Sequence, residues 1–435
     1  MKVGMISLGC PKNQVSAEQM LHLLREAGHE IVTDATEAEA IVVNTCAFIE
    51  DAKQEAINTI LEVAQLKREG SLKLLLVTGC LAQLYKEQVL SELPETDAVV
   101  GVGSCEEICE VLERASRGEK PVVIGDNNAP VSECSRLIST GPAWAYLLIA
   151  EGCDNRCSYC LIPSIRGRFR SRAPEDILAE AEKLASYGYR EIILVAQDLT
   201  RYGKDIPGWN LARLLTELVK VRGIDWIRLH YLYPHELTDE LIDVIAREEK
   251  IVKYLDVPIQ HINAGILKKM NRRDTPDEIR ALIKKLRERI PGLVLRTSLI
   301  AGLPGEGEAE FEELCEFLRE YRIERAGVFP FSPEEGTPAA AMPHVDGETA
   351  RTRAAKIQEL QAEIMDEWES SLAGQVIPAM CDGYDPETGV PMGRAYFDSP
   401  GVDGMMEFVG EISPGDIAPV KIISAEDGVL KGQVL

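Results

Sequence analysis

The sequence predicts an α/β chain in three parts: an N-terminal doubly wound parallel sheet, a central open partial (β/α)6 TIM-like barrel, and a C-terminal small antiparallel β-barrel. Three observations predict it. Residues 1–130 alternate short apolar runs with amphipathic helical patterns, residues 140–371 resume that alternation through six strand–helix units, and residues 372–435 turn to short alternating runs rich in Gly and Pro. A chain of 435 residues also exceeds one ordinary core, so about two or three domains is the natural division.

In the first part, "KVGMISLG", "AIVVNTC", "KLLLVTGC", "DAVVGV" and "PVVIG" read as strands. The segments "SAEQMLHLLREAG", "DAKQEAINTILEVAQLKREG" and "YKEQVLSELP" carry apolar residues at helical spacing. Cys10, Cys46 and Cys80 each follow the end of a successive strand. Ligands of doubly wound sheets gather outside the carboxyl ends of the strands, so the three thiols are expected at one sheet edge.

The polar stretch "GDNNAPVSECSRLISTGPA", residues 125–143, reads as a linker. Beyond it the candidate strands are "AYLLIA", "EIILVAQ", "WIRLHYL", "YLDVPI", "LVLRTSLIAG" and "RAGVFPF", separated by helices such as "PEDILAEAEKLASYG" and "TPDEIRALIKKLRERI". Barrels of this kind carry their chemistry on loops at the C-terminal face. The loop after the first strand contains "EGCDNRCSYC", with Cys153, Cys157 and Cys160. A helix over about 347–371 leads to the last part, which holds three basic side chains, Arg394, Lys421 and Lys431, against ten Asp and Glu.

Composition narrows the partners. A net charge of −24 argues against a protein that grips nucleic acid through phosphates and suits a basic protein partner. The longest apolar runs, such as "KLLLV", fall far short of a membrane span, and "MKVGMISLGC" lacks the pattern of a signal peptide, so a cytoplasmic location is expected. In a reducing compartment the eleven cysteines are expected to ligate metal or pack, not to form a disulfide framework.

A closed zinc site takes four protein ligands, and no nearby His or second Cys pair follows "CDNRCSYC". A four-iron cluster held by three thiolates keeps one iron open for a substrate or cofactor. The CxxxCxxC spacing after the first strand of a partial barrel resembles the radical S-adenosylmethionine (SAM) superfamily. The resemblance implies that SAM binds the open iron by its amine and carboxylate and is cleaved to a 5′-deoxyadenosyl radical. The second triplet, at three strand ends, reads either as small apolar packing residues or as a pocket able to hold another three-thiolate cluster.

The whole chain is similar to the methylthiotransferase family through "SLGCPKN", "VVNTCAFI", "VTGCLAQ", "EGCDNRCSYCLIPSIRGRFRSR", "PIQHIN", "LKKMNRR" and "FSPEEGTPA", ending in a TRAM-like barrel. "CPKN", "IPSIRGRFRSR", "VAQDLTRYG" and "PIQHIN" resemble the subgroup that modifies the β-carbon of an aspartate in small-subunit ribosomal protein S-twelve. Another subgroup modifies an adenosine in transfer RNA. The chain departs from the family pattern at "VSAE", Val15 to Glu18, where an acidic residue followed by serine is expected.

The resemblance implies two 4Fe-4S clusters, one on Cys153, Cys157 and Cys160 and an auxiliary one on Cys10, Cys46 and Cys80. It also implies SAM as both methyl donor and radical source, a cavity shared by the clusters, and a low-potential electron donor such as flavodoxin or ferredoxin. Gln197 and Asp198, read as ending the second barrel strand, are candidates for the methionyl amine, with helix capping an equal reading of Asp198. Gly302 and Gly305 of "AGLPGE" are candidates for backbone approach to the nucleoside.

Arg166, Arg168, Arg170 and Arg172 read equally as a solvated basic strip or as clamps for SAM or substrate carboxylates. His261 reads as a locally hydrogen-bonded side chain. Cys105, Cys109, Cys134, Cys315 and Cys381 read as packing thiols. The rival functions are the same chemistry on transfer RNA and a non-catalytic iron–sulfur carrier.

Overall fold

The computed structural model describes residues 1–426 and 428–435. The chain divides into two compact units. One comprises residues 1–139, 150–172 and 334–337, and the other residues 140–149, 173–333 and 338–435.

The first unit is organised by a six-stranded sheet, in the order Glu30–Ile31, Lys2–Ser7, Ala40–Thr45, Leu74–Gly79, Ala98–Val100 and Val122–Val123, with every pair parallel. Alternate strand residues point to opposite faces and so build two cores. Ile41, Val43, Leu75 and Val77 pack with Ile60 and Val63 of the helix Glu50–Arg68. Val42, Leu74 and Leu76 pack with Met20 and Leu24 of the helix Pro11–Glu26, and with Val111 and Leu112 of Ile108–Ser116. Reversal of strand order on either side of Lys2–Ser7 creates a switch point between it and Ala40–Thr45.

Several local details differ from the sequence pattern. The first helix begins at Pro11, five residues ahead of "SAEQM", because a proline at the first helical position costs no hydrogen bond. "YKEQVLSELP" divides at Lys86, whose φ of 48° separates Cys80–Tyr85 from Glu87–Glu92. The edge strand Glu30–Ile31, only two residues long, carries too little alternation to be anticipated.

In the second unit the strands Trp144–Leu148, Glu191–Val195, Trp226–Leu229, Ile251–Asp256, Val294–Ala301 and Arg325–Pro330 lie side by side in chain order, all parallel. Amphipathic helices such as Pro174–Ser186 and Pro276–Arg289 connect them, the latter opened by a Thr275/Glu278 capping box. The strand Glu191–Val195 stops short of Gln197 and Asp198, which correct to loop positions because Asp198 begins a 3-10 turn over Leu199–Arg201.

The helix Gly347–Ser370 leads to a closed five-stranded barrel between Val376 and Val434. Its pairs are antiparallel except Met405–Val409 with Val429–Val434. An odd number of strands cannot alternate all the way round, so closure requires one parallel pair. Barrel residues Ala379, Met406 and Phe408 share a core with Trp226, Val252 and Val294 of the partial barrel. The turn at 398–403 is held by Asp398 on Arg325, Ser399 Oγ 3.0 Å from His230 Nε2, and Asp403 Oδ2 accepting from Tyr254 at 2.7 Å. Among the described residues no helix is long and apolar enough to cross a membrane.

Candidate active site

Cys10, Cys46 and Cys80 follow three neighbouring strands of the first unit, flanking the switch point. Cys10 is the N-cap of the helix Pro11–Glu26, Cys46 directly follows Ala40–Thr45, and Cys80 opens the helix Cys80–Tyr85. Glycines make the close approach possible. At Gly9, with φ +90°, an added Cβ would meet Cys46 Cβ at 2.8 Å, and at Gly79, with φ +92°, it would meet Asn44 Oδ1 and Thr45 O at 2.5 Å.

Asn13 ties the three loops together. Its Nδ2 donates to Leu8 O at 3.1 Å and Thr45 O at 2.9 Å, and its Oδ1 lies 3.7 Å from Cys80 Sγ. Asn44 Nδ2 donates to Asn13 O at 2.7 Å, which fixes that residue from below.

The thiols feel one another. Burial, then Cys80 and Cys10, push Cys46 up to about 11. Burial raises Cys80 against the pull of Arg166. For Cys10 burial also opposes ionisation, but Lys12, Arg166 and the amide hydrogens of Asn13 and Lys12 outweigh it, and the thiol lies below its ordinary value.

The CxxxCxxC triplet belongs to the same unit, on an excursion closed by pairing of Ala150–Glu151 with Arg170–Ser171. At Gly152, φ +77°, an added Cβ would lie 1.9 Å from Arg168 O, so only glycine carries the chain into Cys153 there. Cys153 N donates to Gly167 O at 3.1 Å. Backbone amides face the sulfurs: Asn155 N to Cys153 Sγ and Ile162 N to Cys160 Sγ, both at 3.5 Å. Burial, then Cys157 and Cys153, raise the Cys160 thiol.

Soft thiols aligned with amide donors suit iron–sulfur ligation, and both sets are composed of thiols alone. Among the described residues no three His, Cys, Asp or Glu side chains converge as a lone metal ion requires. A four-iron cluster takes its thiolates at separate corners.

Three of the four arginines after the triplet are engaged within the unit. Arg166 is buried, with Nη1 donating to Glu151 Oε1 at 2.7 Å and Nη2 to Asn13 Oδ1, while Nη2 also lies 3.8 Å from Cys80 Sγ. Arg170 Nη1 donates to the carbonyls of Arg166 and Arg168, and Arg172 forms a bidentate pair with Glu133. Arg168 is exposed. In the departing "VSAE" segment, Ser16 Oγ donates to Lys12 O, and buried Glu18 receives Arg136 Nη1 at 2.6 Å and the N and Oγ of Ser139 at 2.9 Å. That segment anchors the linker.

In the second unit, Asp198 Oδ1 accepts from Thr200 N at 3.1 Å and from Thr200 Oγ1, a capping role. Gly302 and Gly305 both have positive φ; a Cβ on the first would meet Ala350 Cβ at 2.6 Å, and on the second Lys269 Nζ at 2.0 Å. Glu306, missed in the sequence, organises this turn. Its Oε2 accepts from Gly302 N at 2.9 Å and its Oε1 from Arg353 Nη1 at 2.9 Å. His261 Nδ1 accepts two amide hydrogens at 2.9 Å, so Nε2 carries the proton, 3.3 Å from Glu306 Oε2. Of the other thiols, Cys105 lies close enough to Cys80, Arg166 and Glu151 to feel their charge, and burial first pushes it up to about 12.

Residues 147–318 match the radical SAM superfamily, residues 2–101 the family described as "Uncharacterized protein family UPF0004", and residues 373–435 the TRAM domain. The chain is 48% identical to "Ribosomal protein uS12 methylthiotransferase RimO" of Geobacter sulfurreducens, covering 100% of this chain and 98% of that protein. It belongs to the RimO family of radical SAM methylthiotransferases. The RimO protein of Acetivibrio thermocellus is 46% identical over the same shares. Among solved structures, the radical SAM methyltransferase TsrM from Kitasatospora setae, with cobalamin and a [4Fe-4S] cluster bound, aligns with a TM-score of 0.56 at 16% identity, covering 78% of this chain and 76% of that one. That likeness is one of fold. RimO-family membership brings a four-iron cluster and SAM to the chain.

Proposed function

We propose that this chain attaches a methylthio group to the β-carbon of an aspartate in ribosomal protein uS12. The observation that carries the reading is 48% identity along the whole chain with a relative named for that activity. Cys153, Cys157 and Cys160 would hold the radical cluster, and Cys10, Cys46 and Cys80 would hold an auxiliary 4Fe-4S cluster. The placement of each triplet beside amide or guanidinium N–H groups supports both assignments. When bound, the cofactors supply one-electron cleavage of a sulfonium and hydrogen abstraction from an unactivated carbon. The protein's own contribution is to hold the thiolates, orient SAM through Gln197, Asp198, Gly302 and Gly305, and exclude water. Electrons come from a flavodoxin or ferredoxin, and the reaction takes place in the cytoplasm.

A TRAM domain is a nucleic-acid-binding type, which favours the second reading, methylthiolation of transfer RNA. The charges weigh against it. Of the three basic residues between 372 and 435, Arg394 is buried and Lys431 pairs with Glu407 at 2.6 Å. An acidic surface attracts a basic ribosomal protein and repels RNA.

Anaerobic reconstitution followed by mass spectrometry of uS12 tests the reading. A methylthio gain on one aspartate, with release of 5′-deoxyadenosine, supports it; modification of adenosine alone in transfer RNA, with RNA binding that falls steeply in salt, overturns it.

A further inference from the structure

Arg166 stands apart among the charged groups of the first unit. It is 4% exposed, and its guanidinium is shared between Glu151 on Nη1 and Asn13 with Cys80 on Nη2. Its Nε is buried and has no partner among the described residues. It lies six positions beyond Cys160, at the end of the helix Ile162–Arg166, yet its charged head reaches the sulfur of a cysteine from the other triplet. A planar guanidinium has several donors in a fixed, spread geometry and can hold a carboxylate, an amide oxygen and a thiolate together, whereas a lysine offers only a compact point charge.

We propose that Arg166 is a positioning residue for the auxiliary centre, donating to the Cys80 thiolate and setting the reduction potential of the cluster held there. The assignment rests on the proposed auxiliary site at Cys10, Cys46 and Cys80. Hydrogen bonds to ligand sulfurs and nearby net charge are the protein's levers on iron–sulfur potentials. A buried cation beside a ligand thiolate favours the more negative, reduced state and so raises the potential. Glu151 opposes this by neutralising part of the guanidinium charge. The same contact ties the segment that carries the radical triplet to the loop of Cys80.

The test isolates the auxiliary cluster in full-length protein in which Cys153, Cys157 and Cys160 are replaced by alanine. Its midpoint potential and electron paramagnetic resonance spectrum are then measured with Arg166→Met, Arg166→Lys or Glu151→Gln added. Arg166→Met is expected to lower the potential and alter the spectrum, Arg166→Lys to restore most of the potential, and Glu151→Gln to raise it. An unchanged potential in Arg166→Met with full iron content overturns the proposal. If Arg166→Met takes up no iron, Glu151→Gln decides: a raised potential supports the proposal, and an unchanged or lower potential, or loss of iron, overturns it. Failure of the underlying reading shows separately, as absence of iron and sulfide from the parent protein or of methylthiolated uS12 from the intact enzyme.

Discussion

Arg394 of the C-terminal barrel places Nη2 2.5 Å from Oε2 of Glu191, the first residue of the second partial-barrel strand, and both side chains are buried. Arg228 donates from Nε to the other oxygen of the same carboxylate at 2.8 Å, and Asp382 lies 2.9 Å from Arg394 Nε. Both cations and Glu191 are thus closed off from water where the two barrels share a core, while Asp382 remains partly exposed. Buried pairs of this kind are a poor source of net stability but are costly to break, because the abandoned partner stays buried and charged. Arg394→Met is expected to lower the unfolding free energy by about 3–5 kcal/mol. Chemical denaturation followed by tryptophan fluorescence measures it, since Trp226 lies under the guanidinium. A loss below about 1 kcal/mol would mean that the network relaxes without its arginine.

The same region dictates an unusual pH response. Burial, against the opposing pull of Arg325 and with help from Asp403, raises Asp398 to about 7, and its Oδ2 has no partner among the described residues. An unfolded aspartate titrates near about 3.9. The folded chain therefore binds a proton that the unfolded chain releases between those values, and stability falls as pH rises through that window. Glu191 acts in the opposite sense. Burial is outweighed by Arg228 and Arg394, its pKa is depressed, and its contribution is lost only as pH falls below the ordinary glutamate range. Denaturation midpoints are expected to decline from about pH 4 to about pH 7, and Asp398→Asn should flatten that decline.

The two cysteine sets make separable contributions if they hold separate clusters. Cys157→Ala is expected to abolish 5′-deoxyadenosine formation and methylthiolation together. Cys46→Ala should leave 5′-deoxyadenosine formation within about tenfold of the parent while methylthiolation falls to background. Both products can be quantified in one anaerobic reaction by mass spectrometry. Equal loss of both products in both variants would contradict a division of labour.

What the sequence made legible follows from range. Strand–helix alternation locates Cys10, Cys46 and Cys80, because a thiol just past a strand end needs only local pattern to be placed. Asn13 and Arg166 escape that reading, since Arg166 meets Asn13 and Cys80 across 153 and 86 positions. The arginine run is ambiguous for the same reason. Arg166 and Arg172 find their partners Glu151 and Glu133 15 and 39 residues away, and only the fold makes these two internal anchors. Nothing local marks the Asp398–Asp403 turn as buried, since that burial depends on Arg325, His230 and Tyr254, more than 70 residues upstream.

Backbone conformation yields a prediction of its own. Gly79 and Gly152 occupy positive φ immediately before Cys80 and Cys153, and each has backbone where a Cβ would stand. Gly79→Ala should weaken iron uptake at the auxiliary set, and Gly152→Ala at the radical set, each leaving roughly half of the parent's iron. The strain itself costs about 1–3 kcal/mol, before the clash is relieved. Iron and sulfide counts after reconstitution, read beside the absorbance of each cysteine-triplet variant, show which centre has been lost.

Glu306 closes the set because it organises a turn without standing in any expected role. Its carboxylate is fully buried and holds Gly302 N and Arg353, with His261 Nε2 3.3 Å away. Gly302 must keep φ at +84° where Ala350 leaves no room for a Cβ, and the carboxylate is what fixes its amide. Replacing Glu306 with glutamine preserves shape and one acceptor but removes the charge that Arg353 faces. Loss of one member of a buried pair predicts a stability loss of about 3–5 kcal/mol. If Gly302 lines the SAM site, the KM for SAM should rise more than that for uS12, whereas a purely structural carboxylate would lower the amount of active enzyme and leave both KM values alone. Steady-state kinetics with each substrate varied in turn, normalised to iron content, distinguishes the two outcomes.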